Sequence, residues 1–131
     1  DLDTEVLETA RTGIYPAARV ANLPPEQVRR WFRRGRNAQT GKVRVIPGLQ
    51  RLVSFRQLNL VRAWPLRGPF DAIFCRNVLI YFDKPTQRRL VQRFADLLVP
   101  GGWLFLGHSE SLHNVSDRFR VVGTTIYRKE S

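Results

Sequence analysis

The 131-residue sequence contains one cysteine, Cys75, so no internal disulfide can form and no zinc-binding spacing exists. That usage fits a reducing compartment, and a cytoplasmic location is the expectation. No apolar stretch approaches the roughly 20 residues of a membrane-spanning helix, and no signal-peptide pattern precedes the domain, so membrane insertion is not expected. His113 has no second ligand at useful spacing, so no metal site is expected either. Acids are scarce: 11 Asp and Glu face 22 Lys and Arg, for a net charge of +11. Such an excess favours an acidic partner, and nucleic acid, an anionic membrane surface and an acidic protein compete for that place. The chain also lacks the glycine-rich turn that nucleotide-binding sheets place after their first strand, where backbone approaches a cofactor closely. Its length suits one domain with a true core.

The most informative stretch that is present reads FDAIFCRNVLIYFD, residues 70 to 83. The apolar run from Ala72 to Cys75, entered at Asp71, is expected to be a strand buried on both faces. Arg76 and Asn77 follow abruptly. In an open parallel sheet ligands bind beyond the carboxyl ends of the strands, so polar side chains at that point are placed to touch a small molecule. An ordinary strand-to-helix turn with a capping Asn is the competing reading. Asp83 is expected to cap a helix with Pro85 in its first turn and Leu90, Val91, Phe94, Leu97 and Leu98 on its buried stripe. Arg88, Arg89 and Arg93 fall off that stripe. Pro100-Gly101-Gly102 is expected to end the helix, and Trp103 to Leu106 to form a second buried strand. Strand, helix and strand in that order imply a parallel sheet, and residues 118–122 and 124–127, split by Gly123, read as an antiparallel pair at its edge.

Upstream, Asp3 can cap a helix whose face carries Val6, Leu7 and Ala10 and which stops at Gly13. Asp1 has no evident structural use. It is either a solvated acid or the acid that accepts ribose hydroxyls at the end of a second strand in a doubly wound sheet. Pro24 and Pro25 open another helix, with Val28, Trp31 and Phe32 as one buried stripe and Arg29, Arg30, Arg33, Arg34 and Arg36 around it. That cluster reads as a solvated basic face, a dock for an acidic protein, or a nucleic-acid surface. After the polar loop from Gly35 to Gly41, residues 43–45 alternate as a half-buried strand. Pro47-Gly48 turns the chain, and Leu52 to Phe55 reads as another strand, giving a small antiparallel patch. Asn59 and Leu60 close a strand running into FRQLNL; an Asn there is by itself an ordinary turn residue. In Gly107-His108-Ser109-Glu110-Ser111 the His, Ser and Glu stand too close in sequence for a hydrolase triad, and no G-x-S-x-G elbow is present.

FDAIFCRNVLIYF, followed by LLVPGGWLFLGHSESL, closely resembles the catalytic domain of the CheR family of chemotaxis receptor methyltransferases. Further matches lie in DLDTEVLETARTGIY, in FRQLNL and in residues 119–127. The resemblance implies an α/β fold: a Rossmann-like S-adenosylmethionine-dependent methyltransferase sheet, incomplete at its N-terminus, with a small antiparallel β-subdomain. Residues 1–131 would then be a partial catalytic domain beginning at the second strand, with the β-subdomain within about 31–55. The implied reaction is O-methylation of glutamate side chains on chemotaxis receptors, with S-adenosylhomocysteine as product. Arg76 and Tyr81 would be catalytic, and Asp1, Asn59, Leu60, Arg76 and Asn77 would bind the cofactor, Asn59 at an adenine edge and Leu60 over its face. The GHSES stretch would belong to the cleft wall. The implied partners are acidic cytoplasmic helices of chemoreceptors. A receptor tail peptide could add to the β-subdomain, although Asn37 stands where tail-binding members show the second glycine of Gly-x-Gly. Asparagine tolerates a positive φ, so the loop shape can survive that change. The runner-up function is a non-catalytic methyltransferase-like module that docks an acidic protein; a nucleic-acid binder ranks below it.

Overall fold

The computed structural model describes residues 1–113 and 115–130, and the chain divides into two units, Asp1–Asn59 and Leu60–Ser131. In the first, Asp3 caps α1 (Thr4–Thr12) by accepting from the amides of Glu5 at 2.8 Å and Val6 at 3.2 Å. Gly13 ends it at φ 66, a left-handed conformation that costs glycine nothing, and returns its N–H to Thr9 O at 3.0 Å. Of the face expected to be buried, Leu7 is buried and Val6 is exposed.

Strands β1 (Ile14–Pro16), β2 (Phe32–Arg34) and β3 (Lys42–Val45) form an antiparallel sheet in the order β1-β3-β2. Helix α2 (Pro25–Trp31) leads directly into β2, and the one-turn α3 (Pro47–Gln50) follows β3. The register sets Tyr15 opposite Val43, Phe32 opposite Val45 and Arg33 opposite Arg44. Leu7, Val20 and Val43 are the buried apolar side chains of this unit; Val28, Trp31 and Phe32 are half-buried rather than a sealed stripe. Leu52 to Phe55, expected as a strand, has no ladder and runs irregularly, with Leu52 and Val53 exposed. Nor does a strand form before Asn59. One rung of a parallel ladder is nevertheless present: the Asp1 nitrogen donates to Arg56 O at 3.3 Å and Leu58 N donates to Asp1 O at 2.8 Å. The loop after β2 carries Asn37 at φ 52, the left-handed region its side chain tolerates.

The second unit is built on β4 (Phe70–Cys75), α4 (Lys84–Leu97), β5 (Leu98–Leu106), β6 (Phe119–Gly123) and β7 (Ile126–Lys129). The sheet order is β4-β5-β7-β6, with β4 and β5 parallel and the other pairs antiparallel. Asp83 caps α4 through Thr86 N at 2.9 Å, and Pro85 sits in its first turn, where a missing N–H does no harm. Leu90, Val91, Phe94 and Ala95 press one face of α4 against Leu98, Leu104 and Leu106 of β5 and Tyr127 of β7, forming a single apolar cluster. Arg93, off the buried stripe, is half-buried: it donates to Leu60 O at 2.9 Å and Arg62 O at 2.8 Å and lies over the Trp64 ring. Pro100-Gly101-Gly102 does not separate helix from strand. It forms an irregular stretch inside β5, where Phe70 pairs with Leu98 and Ala72 with Trp103, and Gly101 at φ 75 permits the deviation.

The expectation that β4 is buried on both faces is corrected. Ile73 and Cys75 face the α4 side, whereas Ala72 and Phe74 are exposed, Phe74 to 70%. Helix α4 covers one face of the sheet; the other carries Phe74, Phe105 and Trp103, with Phe74 and Phe105 stacked at 4.4 Å.

Candidate functional site at the tips of the parallel strands

β4 ends at Cys75, so Arg76 and Asn77 stand beyond its carboxyl end, beside the corresponding tip of the parallel β5. Asn77 has φ 58, a left-handed conformation unusual for a non-glycine residue, which folds the chain back sharply. A short 3₁₀ turn, Leu79–Tyr81, follows and is anchored from α4: Gln87 Nε2 donates to Leu79 O at 2.8 Å and to Phe82 O at 3.0 Å. Leu79 plugs into the core, so Arg76, Asn77 and Tyr81 are left outward. Tyr81 is 79% exposed. Arg76 Nη2 lies 3.4 Å from His108 Nε2, and among the described residues the guanidinium pairs with no carboxylate.

The residue that sequence reasoning missed is Glu110. It is buried, and its carboxylate accepts four backbone amides: Gly107 at 2.6 Å and Asn77 at 2.9 Å on Oε2, Val78 at 2.8 Å and Ile80 at 3.3 Å on Oε1. Burial pushes its pKa upward, but the four amides together outweigh burial and hold the carboxyl below its usual range. One local signal existed: an acid three residues after a strand-ending glycine can close a turn, and Glu110 N does donate to Gly107 O at 3.0 Å. The contacts reaching back 30 to 33 residues had none. Burial first, and the nearby Glu110 carboxylate second, push the Cys75 thiol up to about 11, so it remains protonated and is no nucleophile at neutral pH.

Leu60 belongs to the same unit; its side chain packs against the apolar cluster and its carbonyl accepts from Trp64 Nε1 at 2.9 Å. Asp1 and Asn59 belong to the first unit. Asn59 is half-buried and follows directly on the 56–58 segment that Asp1 pairs with. Asp1 also has a structural use that its sequence context did not suggest: Oδ1 accepts from Leu2 N at 2.6 Å and Asp3 N at 3.0 Å. The first unit also holds a groove of about 870 Å³, floored by Val20, Val28 and Val43 and edged by Arg29, Arg33 and Arg34. Among the described residues no group of three or more His, Cys, Asp or Glu comes together, and no helix is long and apolar enough to cross a membrane.

A polar turn at the carboxyl end of a parallel strand, backed by a helix on one face, places the second unit among the α/β ligand-binding sheets. The comparisons with known proteins narrow that class. The family model described as the CheR methyltransferase, SAM binding domain, matches residues 1–128, and the chain belongs to that family. It is 53% identical over 128 residues to a chemotaxis protein methyltransferase of Klebsiella aerogenes, covering 97% of this chain and 44% of that protein. Over the same length it is 51% identical to chemotaxis protein methyltransferase 2 of Pseudomonas aeruginosa and 50% identical to the chemotaxis protein methyltransferase of Escherichia coli, covering 46% and 45% of those proteins. The chain thus spans slightly less than half the length of these curated relatives.

Proposed function

We propose that the protein carrying this domain transfers a methyl group from S-adenosylmethionine to glutamate side chains of chemotaxis receptors, acting in the cytoplasm. The observation that carries the reading is the Arg76–Asn77 turn: an exposed guanidinium with no carboxylate partner among the described residues, at the tip of a parallel strand in a domain of this family. When bound, S-adenosylmethionine supplies a methyl group already activated by its positive sulfur. The donor set fits such a ligand, since the Asn77 side chain, the Arg76 guanidinium and the Tyr81 phenol are all exposed on one turn. Asn77 lines the cofactor, and Leu60 covers an apolar face of it. For the first unit the same reading gives Asp1 the ribose hydroxyls and Asn59 a base edge.

The acceptor carboxylate is ionised at neutral pH, so the work left to the protein is alignment. Arg76 presents a planar fork that holds a carboxylate through paired hydrogen bonds and fixes which oxygen faces the methyl group. Tyr81 offers a polar tip to the substrate and a negative ring face to a cation. The basic surface serves encounter with acidic receptor helices through long-range attraction. A receptor tail peptide is assigned to the edge of the β1-β3-β2 sheet by strand addition, and Asn37, at φ 52, keeps the loop conformation that a glycine would otherwise provide.

Two measurements on the full-length protein test this. Titration calorimetry with S-adenosylhomocysteine should show saturable binding, and labelled methyl groups should appear as base-labile esters on receptor glutamates. Raising salt from 50 to 300 mM, chosen to shorten the screening length to about 6 Å, should lower receptor encounter several-fold and leave cofactor affinity nearly unchanged. Binding of cofactor without ester formation on any receptor would instead favour a non-catalytic module docking an acidic protein.

A further inference from the structure

Two turns leave the carboxyl ends of β4 and β5, and each has amides that no ladder serves. Glu110, 5% exposed, supplies acceptors to both. Its carboxylate takes Gly107 N from the turn after β5 and Asn77, Val78 and Ile80 N from the turn after β4, and among the described residues it forms no ion pair with a base. A buried charge is expensive unless it is hydrogen-bonded, and here amides alone satisfy it. A glutamine of the same shape would not serve equally well. Its NH₂ group would point hydrogens at two of the four amide donors. A purely local role, closing the Gly107–Glu110 turn, would need only one of the four bonds. Gly107 is fitted to the same arrangement, because a Cβ there would lie 2.8 Å from Asn77 N and 2.9 Å from Glu110 Oε2.

We infer that Glu110 is a positioning residue, a clamp that sets the turn after β4 against the turn after β5 and thereby holds Asn77 in its left-handed conformation and Arg76 beside His108. The inference rests on the methyl-transfer reading of the Arg76–Asn77 turn. Loss of the clamp lets that turn sample other conformations, so cofactor binding weakens even though Glu110 itself touches neither cofactor nor acceptor.

The test uses Glu110→Gln in the full-length protein. The KM for S-adenosylmethionine and the Kd for S-adenosylhomocysteine should each rise at least about tenfold, while the KM for the receptor changes less than about threefold. Amide hydrogen exchange at Asn77, Val78 and Ile80 should quicken at least about tenfold, with exchange in β6 and β7 unchanged. Glu110→Asp keeps the charge on a shorter arm; it should recover part of the affinity, and it decides the matter if the glutamine variant does not fold. Unchanged exchange at those three amides with cofactor affinity within twofold of the parent would overturn the clamp. So would exchange that quickens equally throughout the second unit in both variants, which marks a merely structural role. If the unsubstituted protein fails to bind S-adenosylhomocysteine, the methyl-transfer reading falls, and with it the role of Glu110 in cofactor binding; localised exchange would then show only that the clamp joins the two turns.

Discussion

Arg76→Ala should lower methyl transfer to receptor glutamates by roughly 100- to 1,000-fold, the loss seen when one preorganised donor is removed from a reacting centre. Affinity for S-adenosylhomocysteine should fall far less, by about tenfold or less, because the Glu110-held turn and Asn77 survive the change. Arg76→Lys separates charge from shape. Lysine keeps the positive charge but not the planar fork, so it should recover only a minor part of the lost rate. The two quantities have to be read separately, initial transfer rate at saturating cofactor and Kd by calorimetry. Transfer that persists near the parental rate in Arg76→Ala would remove the residue from acceptor alignment and leave the His108 contact as its only described side-chain partner.

Phe94→Ala should cost the second unit about 3–5 kcal/mol, measured as the shift in urea midpoint multiplied by the slope of the transition. Phe94 is 4% exposed and stacks on Trp64 with ring centroids 5.3 Å apart, so its removal opens a cavity beneath the face of α4. Trp64 is pinned from outside by Arg93, 3.7 Å from its ring, and is poorly free to collapse into the space. The effect reaches the candidate site because Gln87 on the same helix anchors the carbonyls of Leu79 and Phe82. A loss under about 1 kcal/mol would mean that α4 is not the main cover of the sheet. Phe94→Leu, which keeps most of the volume, should cost clearly less.

What could be read from the sequence was what local chemistry settles. The cap at Asp83 with Pro85 after it and the cap at Asp3 with Gly13 as the stop each depend on neighbours within a few residues, and each is present. The antiparallel pair near the end forms as well, but Gly123 belongs to β6, opposite Ile126, and the turn falls at Thr124 and Thr125 instead. The positive φ of Asn37 fits the tolerance of asparagine for that region, which the family's Gly-x-Gly pattern, not the local neighbours, had brought to notice. Residues 72–75 were legible as strand but not in their burial, because an apolar run shows only that a strand is compatible with being covered and not which layers cover it. Leu52 to Phe55 failed as a strand because a strand needs a partner, and no ladder forms along it. At the site, Arg76 and Asn77 were singled out because they interrupt an apolar run, and Tyr81 through the family resemblance. Glu110 was weighed only within a rejected hydrolase triad and as part of the cleft wall, because its hydrogen bonds join two loops far apart in the chain.

The opposition of Arg33 and Arg44 across β2 and β3 has a further consequence. Two guanidinium-bearing side chains held side by side repel, and the unit that contains them has only three buried apolar side chains to oppose the strain. Mobile electrolyte should therefore firm up this small sheet by quenching the repulsion, while the same ions slow the approach of an acidic helix. Folding and docking would respond to ionic strength with opposite signs, and a carboxylate settling between those two arginines would do for the sheet what dissolved chloride does, making the arrival of an acidic partner a local ordering event.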